Sequence, residues 1–345
     1  MDSSENYNFG LQVSTGRNVF SWRPKVSVVI PAYNVAEFIG DTLESVAAQK
    51  FRDFEVIVVN DGSPDTVAFE RAIRPHRENI IYIKQASLGA GAARNTAIKH
   101  ARGEIIAFLD GDDIWLPEFL SSQVAFLGRG YDMAYCDAQQ FGMRSVLRKT
   151  FMESAPSSGE VTASSLLDFQ CNVITSGTVA TKTSLLSAGL FEPERARAHD
   201  FHLWVRMAKN GAKIGYQEKV LLKYRVHLDS LSGDSVSRVQ REIDVFNRVR
   251  KSIELNEDER NILDRRLASL EADLQIECGK AFLLKEDFEN AHSAFSEANR
   301  QRRSLKLTLV ALAARFFPRL LLNHYRTRRI DDIAMVPGGK QLASR

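Results

Sequence analysis

Between residues 26 and 109 the chain alternates short apolar runs with amphipathic helix patterns, and this alternation limits the possible folds more than any other feature. Residues 26–30, 54–59, 80–83 and 105–109 are apolar at nearly every consecutive position. A strand with one wet face alternates apolar and polar residues, so near-continuous apolarity calls for cover on both faces. Residues 36–49, 64–73 and 89–102 read as helices, the first with Phe38, Ile39, Leu43, Val46 and Ala47 spaced for one side. Helices crossing between such strands predict an α/β fold with a mainly parallel sheet flanked by helices. In sheets of this kind ligands bind beyond the carboxyl ends of the strands.

Those ends are polar. The first strand runs into Pro31-Ala32-Tyr33-Asn34 and the second into Asn60-Asp61-Gly62-Ser63. The third strand–helix loop carries Gly89-Ala-Gly91-Ala-Ala-Arg94-Asn95, and the fourth strand ends in Asp110-Gly111-Asp112-Asp113. Carboxylates crowded like this repel one another unless a cation, or groups attached to one, offsets them. Gly111 is expected to supply a sharp turn that lets Asp110 and Asp112 face the same space. Hard oxygen ligands suit Mg²⁺ or Mn²⁺ bridging to a phosphate. Asp61 can accept the imide N–H that uracil, thymine and guanine carry and neutral cytosine and adenine lack. Arg94, near a helix start, suits phosphate through its charge and the free backbone N–H groups there.

Plainer readings compete at each position: a helix-capping acidic turn, an Asx turn at Asp61, a surface arginine. The run from Gly89 to Arg94, with Asp110 downstream, also imitates a dinucleotide fingerprint and hence an NAD-type oxidoreductase. Against that, Arg94 stands where close helix–strand packing needs a small residue, and Asp61, Asp112 and Asp113 would have no work.

The chain has 345 residues, ordinary apolar and charged content, and length enough for more than one domain. Its three cysteines are odd in number and widely spaced, which argues against a disulfide framework or structural zinc and for a reducing compartment. Residues 1–24 lack an apolar signal core and read as an N-terminal arm, with Phe20 and Trp22 able to dock on the first domain. The expected organisation is that arm, an α/β domain over 25–234, a helical module over 235–330 and a tail over 331–345. Downstream of Trp115 the pattern predicts a helix at 117–127, a strand at 133–136, and a polar stretch to about residue 165. Helices at 184–188 and 200–210 and a strand at 220–225 come next. In the helical module, Cys278, Gly279, Phe282, Phe288, Ala291, Phe295 and Ala298 are spaced like one tetratricopeptide unit, read here as a helical hairpin.

The net charge of +3 hides an asymmetry: residues 298–330 hold nine Lys or Arg and no acidic residue, leaving the rest near −6. Residues 305–322 are too short and too charged, at Lys306, Arg315 and Arg319, to span a bilayer. They suit a helix lying on an anionic membrane surface, or one packed on the protein's own body. No aromatic-interleaved module points to nucleic acid.

Taken together, Val26-Ser-Val-Val-Ile-Pro-Ala-Tyr-Asn34, Val58-Val-Asn-Asp-Gly-Ser63, Ala93-Arg94-Asn95 and Asp110-Gly-Asp-Asp113 resemble family 2 of the inverting glycosyltransferases, in that family's order and spacing. The resemblance covers residues 25–232. It implies the GT-A nucleotide-diphospho-sugar transferase fold, followed here by the helical module. It further implies metal-dependent inverting transfer from a nucleoside-diphosphate sugar, with UDP favoured over TDP or GDP, to a hydroxyl acceptor. The setting implied is assembly of cell-surface polysaccharide or glycolipid, with a lipid-linked saccharide as acceptor and a cytoplasmic enzyme peripheral to the inner face of the cell membrane.

Carried over residue by residue, Pro31, Ala32, Tyr33, Asn34 and Asp61 would meet the nucleoside, Asp110 the ribose and Arg94 the phosphates. Asp112 would ligate Mg²⁺ or Mn²⁺. Ala198-His199-Asp200-Phe-His-Leu203-Trp204 resembles the family's Glu-Asp pair followed by Leu-Trp, which makes Asp200 the general base and leaves His199 where an acid is usual. Arg225 or His227 would clamp the pyrophosphate or complete the metal shell, and the turn at 175–178 would line the sugar or acceptor pocket. A catalytically inactive carbohydrate-binding protein on this fold would be expected to lack Asp112 or Asp200, and both are present.

Overall fold

A computed structural model describes residues 11–16, 23–142, 149–192, 199–227 and 235–333, with side chains as far as 326. It forms two compact units: Met1–Gln139 with Thr150–Arg225, and Gln140–Lys149 with Val226–Arg345.

The strands are β1 (Gln12–Thr15), β2 (Val26–Ala32), β3 (Phe54–Asp61), β4 (Ile81–Gln85), β5 (Ile105–Phe108), β6 (Ile114–Trp115), β7 (Met133–Phe141), β8 (Thr178–Thr181) and β9 (Ile214–Arg225). Among the described residues they make one sheet in the order β1-β4-β3-β2-β5-β8-β7-β9-β6. The run β4-β3-β2-β5 is parallel throughout. Every residue of β2 is buried, as expected for a strand covered on both faces. Helices α1 (Ile39–Ala47), α2 (Thr66–Ala72), α3 (Ala90–His100) and α4 (Phe119–Leu127) come closely after their strands. Four smaller helices complete this unit: α5 (Phe151–Ser154), α6 (Ala163–Leu167), α7 (Lys182–Ser187) and α8 (His199–Lys209).

Beyond this run the pairings of β5 with β8, β7 with β8 and β6 with β9 are antiparallel. They complete a mixed, mostly parallel-cored sheet. Several elements differ from the sequence expectation, two of them strands with no readable period. Residues 12–15 form an edge strand on β4, with all four side chains exposed. An edge strand wet on both faces has no apolar period, so backbone pairing alone reveals it. Strand β6 is only two residues long and is held by Leu222 and Lys223 of β9. Phe20 and Trp22, expected to dock on this unit, lie outside the described residues.

At the far end of the sheet from the carboxyl ends, buried Glu55 accepts hydrogen bonds from Ser27 Oγ (2.7 Å), Arg102 N (2.6 Å) and Arg102 Nε (2.7 Å). A carboxylate taken from water is tolerable only when satisfied in this way.

The second unit is helical: α9 (Ser235–Ser252), α10 (Glu257–Leu284), α11 (Phe288–Arg302), α12 (Leu305–Phe316) and α13 (Pro318–Ile333). Asn256 and Glu259 form a reciprocal capping box at the start of α10. Leu283 of α10, Ala291 and Phe295 of α11, and Ala311 and Ala314 of α12 share one buried cluster. Among the described residues no helix is long and apolar enough to cross a membrane.

Candidate active site

The polar strand ends converge where the topology puts them. At the end of β2, Ala32 is buried and the Tyr33 ring is 54% exposed. Asn34 comes next with φ 56°, a conformation asparagine tolerates, and its N–H donates to Ser63 Oγ at 2.6 Å. At the end of β3, Asp61 is buried and accepts from Gln85 Nε2 (2.7 Å), Leu88 N (2.9 Å) and Gly89 N (2.7 Å). Sequence reading missed Gln85. The sheet register supplies the signal, because Gln85 sits directly across from Asp61 on the neighbouring parallel strand. With about four acceptor sites on a carboxylate, Asp61 keeps room for one further donor.

In the turn after β5, the Asp110 carboxylate pairs with the buried guanidinium of Arg94, and its backbone N–H donates to Ser176 Oγ at 3.1 Å. Asp113 is fully buried and accepts from Arg225 N at 2.8 Å. Burial, followed by repulsion from Asp112 and Asp110, raises its carboxyl well above the usual carboxylate range, despite hydrogen bonds from Ser176 and Arg225. Arg225 Nε donates to the Asp112 carbonyl at 2.8 Å, and its guanidinium lies 4.6 Å from the centre of the Phe38 ring. Thr42 Oγ1 donates to the Asp113 carbonyl at 2.9 Å and lies 3.1 Å from that of Gly111.

Gly111 stands in a tight turn as expected, with Asp113 N donating to the Asp110 carbonyl at 3.2 Å. Its φ is not among the positive values, and an added Cβ would stand 2.9 Å from Val35 Cγ2. The glycine is required for close approach between this turn and the β2–α1 loop, not for a left-handed bend.

On the other flank, Asp200 sits in the first turn of α8. Its Oδ2 accepts from Thr175 Oγ1 at 2.8 Å and its Oδ1 from Phe201 N at 2.9 Å. Arg94 Nη1 lies 2.6 Å from His199 Nε2. Burial opposes ionisation of Asp200. The positive charge of this His199–Arg94 side and the bonds from Thr175 and Phe201 outweigh it, holding the carboxyl below its ordinary range.

Helix α3 holds this flank in place. The Asn95 side chain donates to Phe191 O (2.8 Å) and accepts from Phe191 N (3.0 Å), while the Phe191 ring meets His199 edge-on at 5.4 Å. An added Cβ on Gly91 would come within 3.1 Å of His199 Cγ. The Arg94-Asn95 pair and Gly91 therefore seat the start of α8 on α3.

The 3-10 turn Thr175–Gly177 joins both flanks. Thr175 reaches Asp200, Ser176 Oγ takes the Asp110 N–H, and the Ser176 carbonyl takes Trp115 Nε1 at 2.7 Å. His227 belongs to the second unit, two residues beyond the end of β9.

The Arg94 side chain is only 6% exposed and that of Asp110 34%. Arg94→Met removes the cation and leaves the carboxylate unpaired. Discounted for the partial exposure of Asp110, the expected loss is about 2 kcal/mol of stability. Urea denaturation followed by circular dichroism measures it.

Among the described residues no three His, Cys, Asp or Glu side chains converge as a metal cage. Mg²⁺ is usually held by one or two carboxylates together with substrate phosphates. Asp110 is engaged by Arg94 and Asp113 is buried, whereas Asp112 is half-buried at the turn's edge. This donor set fits an ion shared with a substrate diphosphate.

Residues 27–189 match the family described as Glycosyl transferase family 2. Over 223 residues, 64% of this chain and 85% of the relative, the chain is 30% identical to the UDP-Glc:alpha-D-GlcNAc-diphosphoundecaprenol beta-1,3-glucosyltransferase WfaP of Escherichia coli. It is also 30% identical over 211 residues, 59% of this chain and 71% of the relative, to an uncharacterised glycosyltransferase of Methanocaldococcus jannaschii. The chain belongs to glycosyltransferase family 2.

Solved structures agree in fold with this glycosyltransferase. The mannosyltransferase PcManGT from Pyrobaculum calidifontis, in complex with GDP-Man and Mn²⁺, has a TM-score of 0.60 at 21% identity, covering 90% of this chain and 85% of that one. Residues 1–349 of S. aureus TarS, in complex with UDP-GlcNAc, score 0.53 at 21% identity, covering 91% and 97%. The fold is GT-A. The glycine-rich loop of this glycosyltransferase, which imitated a dinucleotide fingerprint, instead opens the helix that carries buried Arg94, the partner of Asp110.

Proposed function

We propose that this glycosyltransferase moves a sugar from a nucleoside-diphosphate sugar, UDP favoured, to a hydroxyl of a lipid-linked saccharide, with inversion, at the inner face of the cell membrane. One observation carries the reading: the Asp110–Asp113 turn and Asp200 flank a common polar junction, tied by Arg94 and by the turn at Thr175–Gly177. A donor site and a base must lie this close for a single displacement. The relatives support the chemistry, since WfaP is named for a UDP-glucose donor and a diphosphoundecaprenol acceptor. PcManGT was solved with GDP-Man and Mn²⁺, and TarS with UDP-GlcNAc.

In this scheme Pro31, Ala32, Tyr33 and Asn34 line the nucleoside and the exposed Tyr33 ring offers its face. Asp61 spends its remaining acceptor site on the base imide N–H. Asp110 takes the ribose hydroxyls at the edge left open by Arg94, whose cation favours the diphosphate electrostatically. Arg225, braced on Phe38 and the Asp112 carbonyl, adds a second positive charge. Asp112 would hold Mg²⁺ or Mn²⁺, and such an ion would offset charge developing on the leaving diphosphate.

The acceptor oxygen attacks the anomeric carbon opposite the leaving group, and its proton passes to Asp200 Oδ. A carboxylate held below its ordinary range is a weak base, so the proton moves late, when the new C–O bond has acidified the hydroxyl. Thr175 sets both the aim and the basicity of that oxygen. Thr175→Val removes the hydrogen bond. The expected result is a roughly tenfold lower kcat, with an acid limb of the pH–rate profile displaced to higher pH because a stabiliser of the ionised form is gone. A screen of UDP-, TDP- and GDP-sugars with Mn²⁺ or Mg²⁺, scoring release of nucleoside diphosphate, tests the whole reading. No release from any donor in the presence of extracted lipid-linked saccharides sinks it.

A further inference from the structure

The second unit gathers apolar exposure in one place. Leu305, Leu309, Leu312, Phe316, Phe317 and Leu320 are between 46% and 86% exposed. At about 100° per residue, Leu305, Leu309, Leu312 and Phe316 fall within about 60° of arc on α12. The opposite face of the same helix, at Leu307, Ala311 and Ala314, is buried, with both alanines in the cluster that holds Leu283, Ala291 and Phe295. This apolar stripe is therefore additional to the one that packs the helix onto its own unit. Exposed Lys306 and Arg315 emerge on its two flanks, and exposed Arg319 lies at the start of α13. Residues 298–330 contain nine Lys or Arg and no Asp or Glu, although Arg300, Arg302 and Arg326 pair with Glu297, Asp273 and Glu286 from outside that stretch.

We propose that this face of α12 and the first turn of α13 lies in the headgroup region of an anionic lipid bilayer. The leucines and phenylalanines reach the acyl boundary and the flanking cations meet lipid phosphates. An apolar stripe edged by Lys and Arg on both sides has the charge pattern of an interfacial helix. A second copy of the chain fits poorly, because an isologous contact would set this basic surface against itself. The inference deepens the membrane setting proposed above by naming the surface that makes it. It rests on that reading only for its purpose, since lipid binding requires neither donor nor acceptor.

The test uses the full chain with vesicles of phosphatidylcholine alone or mixed with phosphatidylglycerol, separated by flotation. Binding is expected to the mixed vesicles only, weakening as salt rises. The triple variant Leu309→Ser, Phe316→Ser, Phe317→Ser should bind about tenfold or more weakly, because binding scales with buried apolar area. Each of Lys306→Gln, Arg315→Gln and Arg319→Gln should cost about fivefold. All these side chains are exposed, so the thermal midpoint should hold and confirm folding. Failure of the folded wild type to float with anionic vesicles overturns the proposal, and so does a triple variant that floats equally well. Light scattering that shows a dimer broken by the triple variant, with vesicle binding unchanged, would assign the stripe to self-association instead. Nucleoside-diphosphate release to a water-soluble acceptor, measured in parallel, reports on the transferase reading independently.

Discussion

Asp200→Asn should leave nucleotide-sugar affinity unchanged while lowering transfer by about 10²–10⁴-fold, the range supplied by a general base. The amide keeps the shape of the carboxylate: its oxygen can still accept from Phe201 N and its NH2 can donate to Thr175 Oγ1, so α8 keeps its seat. What it loses is the ability to take a proton. Calorimetric donor titration and initial-rate assays on the same preparation separate the two effects, and full transfer by the variant would remove Asp200 from the mechanism. The depressed pKa adds a second observable. The wild-type acid limb should lie below the ordinary carboxylate value of about 3.9. Ionised Asp200 likewise contributes stability above its unfolded pKa, and that contribution is lost as pH falls through the lower folded value.

Asp112→Ala should act on the other half of the reaction. Donor affinity in Mn²⁺ is expected to fall about a hundredfold or more, to the level the wild type shows in chelator. Affinity without metal should barely change, because Arg94, Asp61 and the β2 loop remain. Titrating UDP with and without Mn²⁺ against both proteins makes the comparison. If the variant retains the full metal enhancement, the ion is held elsewhere. Alanine at 112 leaves the Asp110–Arg94 pair and the Arg225 bond to the 112 carbonyl in place, and an unchanged thermal midpoint would separate lost ligation from collapse of the turn.

The parallel half of the sheet was legible in the sequence, since burial on both faces leaves a local signature in each of β2 to β5. The carboxyl-end residues were legible for the same reason: once strand ends are located, Asp61, Asp110, Asp112 and Arg94 are located with them. Strands β1 and β6 were not, being respectively exposed on all sides and two residues long, so neither carries a period to read. The stretch beyond residue 138 was equally opaque. There β7 and β9 run longer than predicted, because their polar and half-buried positions dilute the apolar pattern.

By itself, then, the sequence determined a parallel α/β core, the acidic and basic groups at its strand ends, a helical C-terminal unit with a basic stretch, and the resemblance that proved to be family membership. Only the tertiary structure decided the partners. Arg94 finds Asp110 sixteen residues away and His199 a hundred and five away, and Thr175 finds Asp200 across twenty-five. The same is true of Gly111, whose missing side chain also serves close packing against Val35, and of the α12 leucines, which divide into buried and exposed faces. Periodicity is a property of neighbours along the chain. Hydrogen-bond partners and exposed faces depend on which strand ends and helix starts the packed sheet brings together, and no local pattern encodes that.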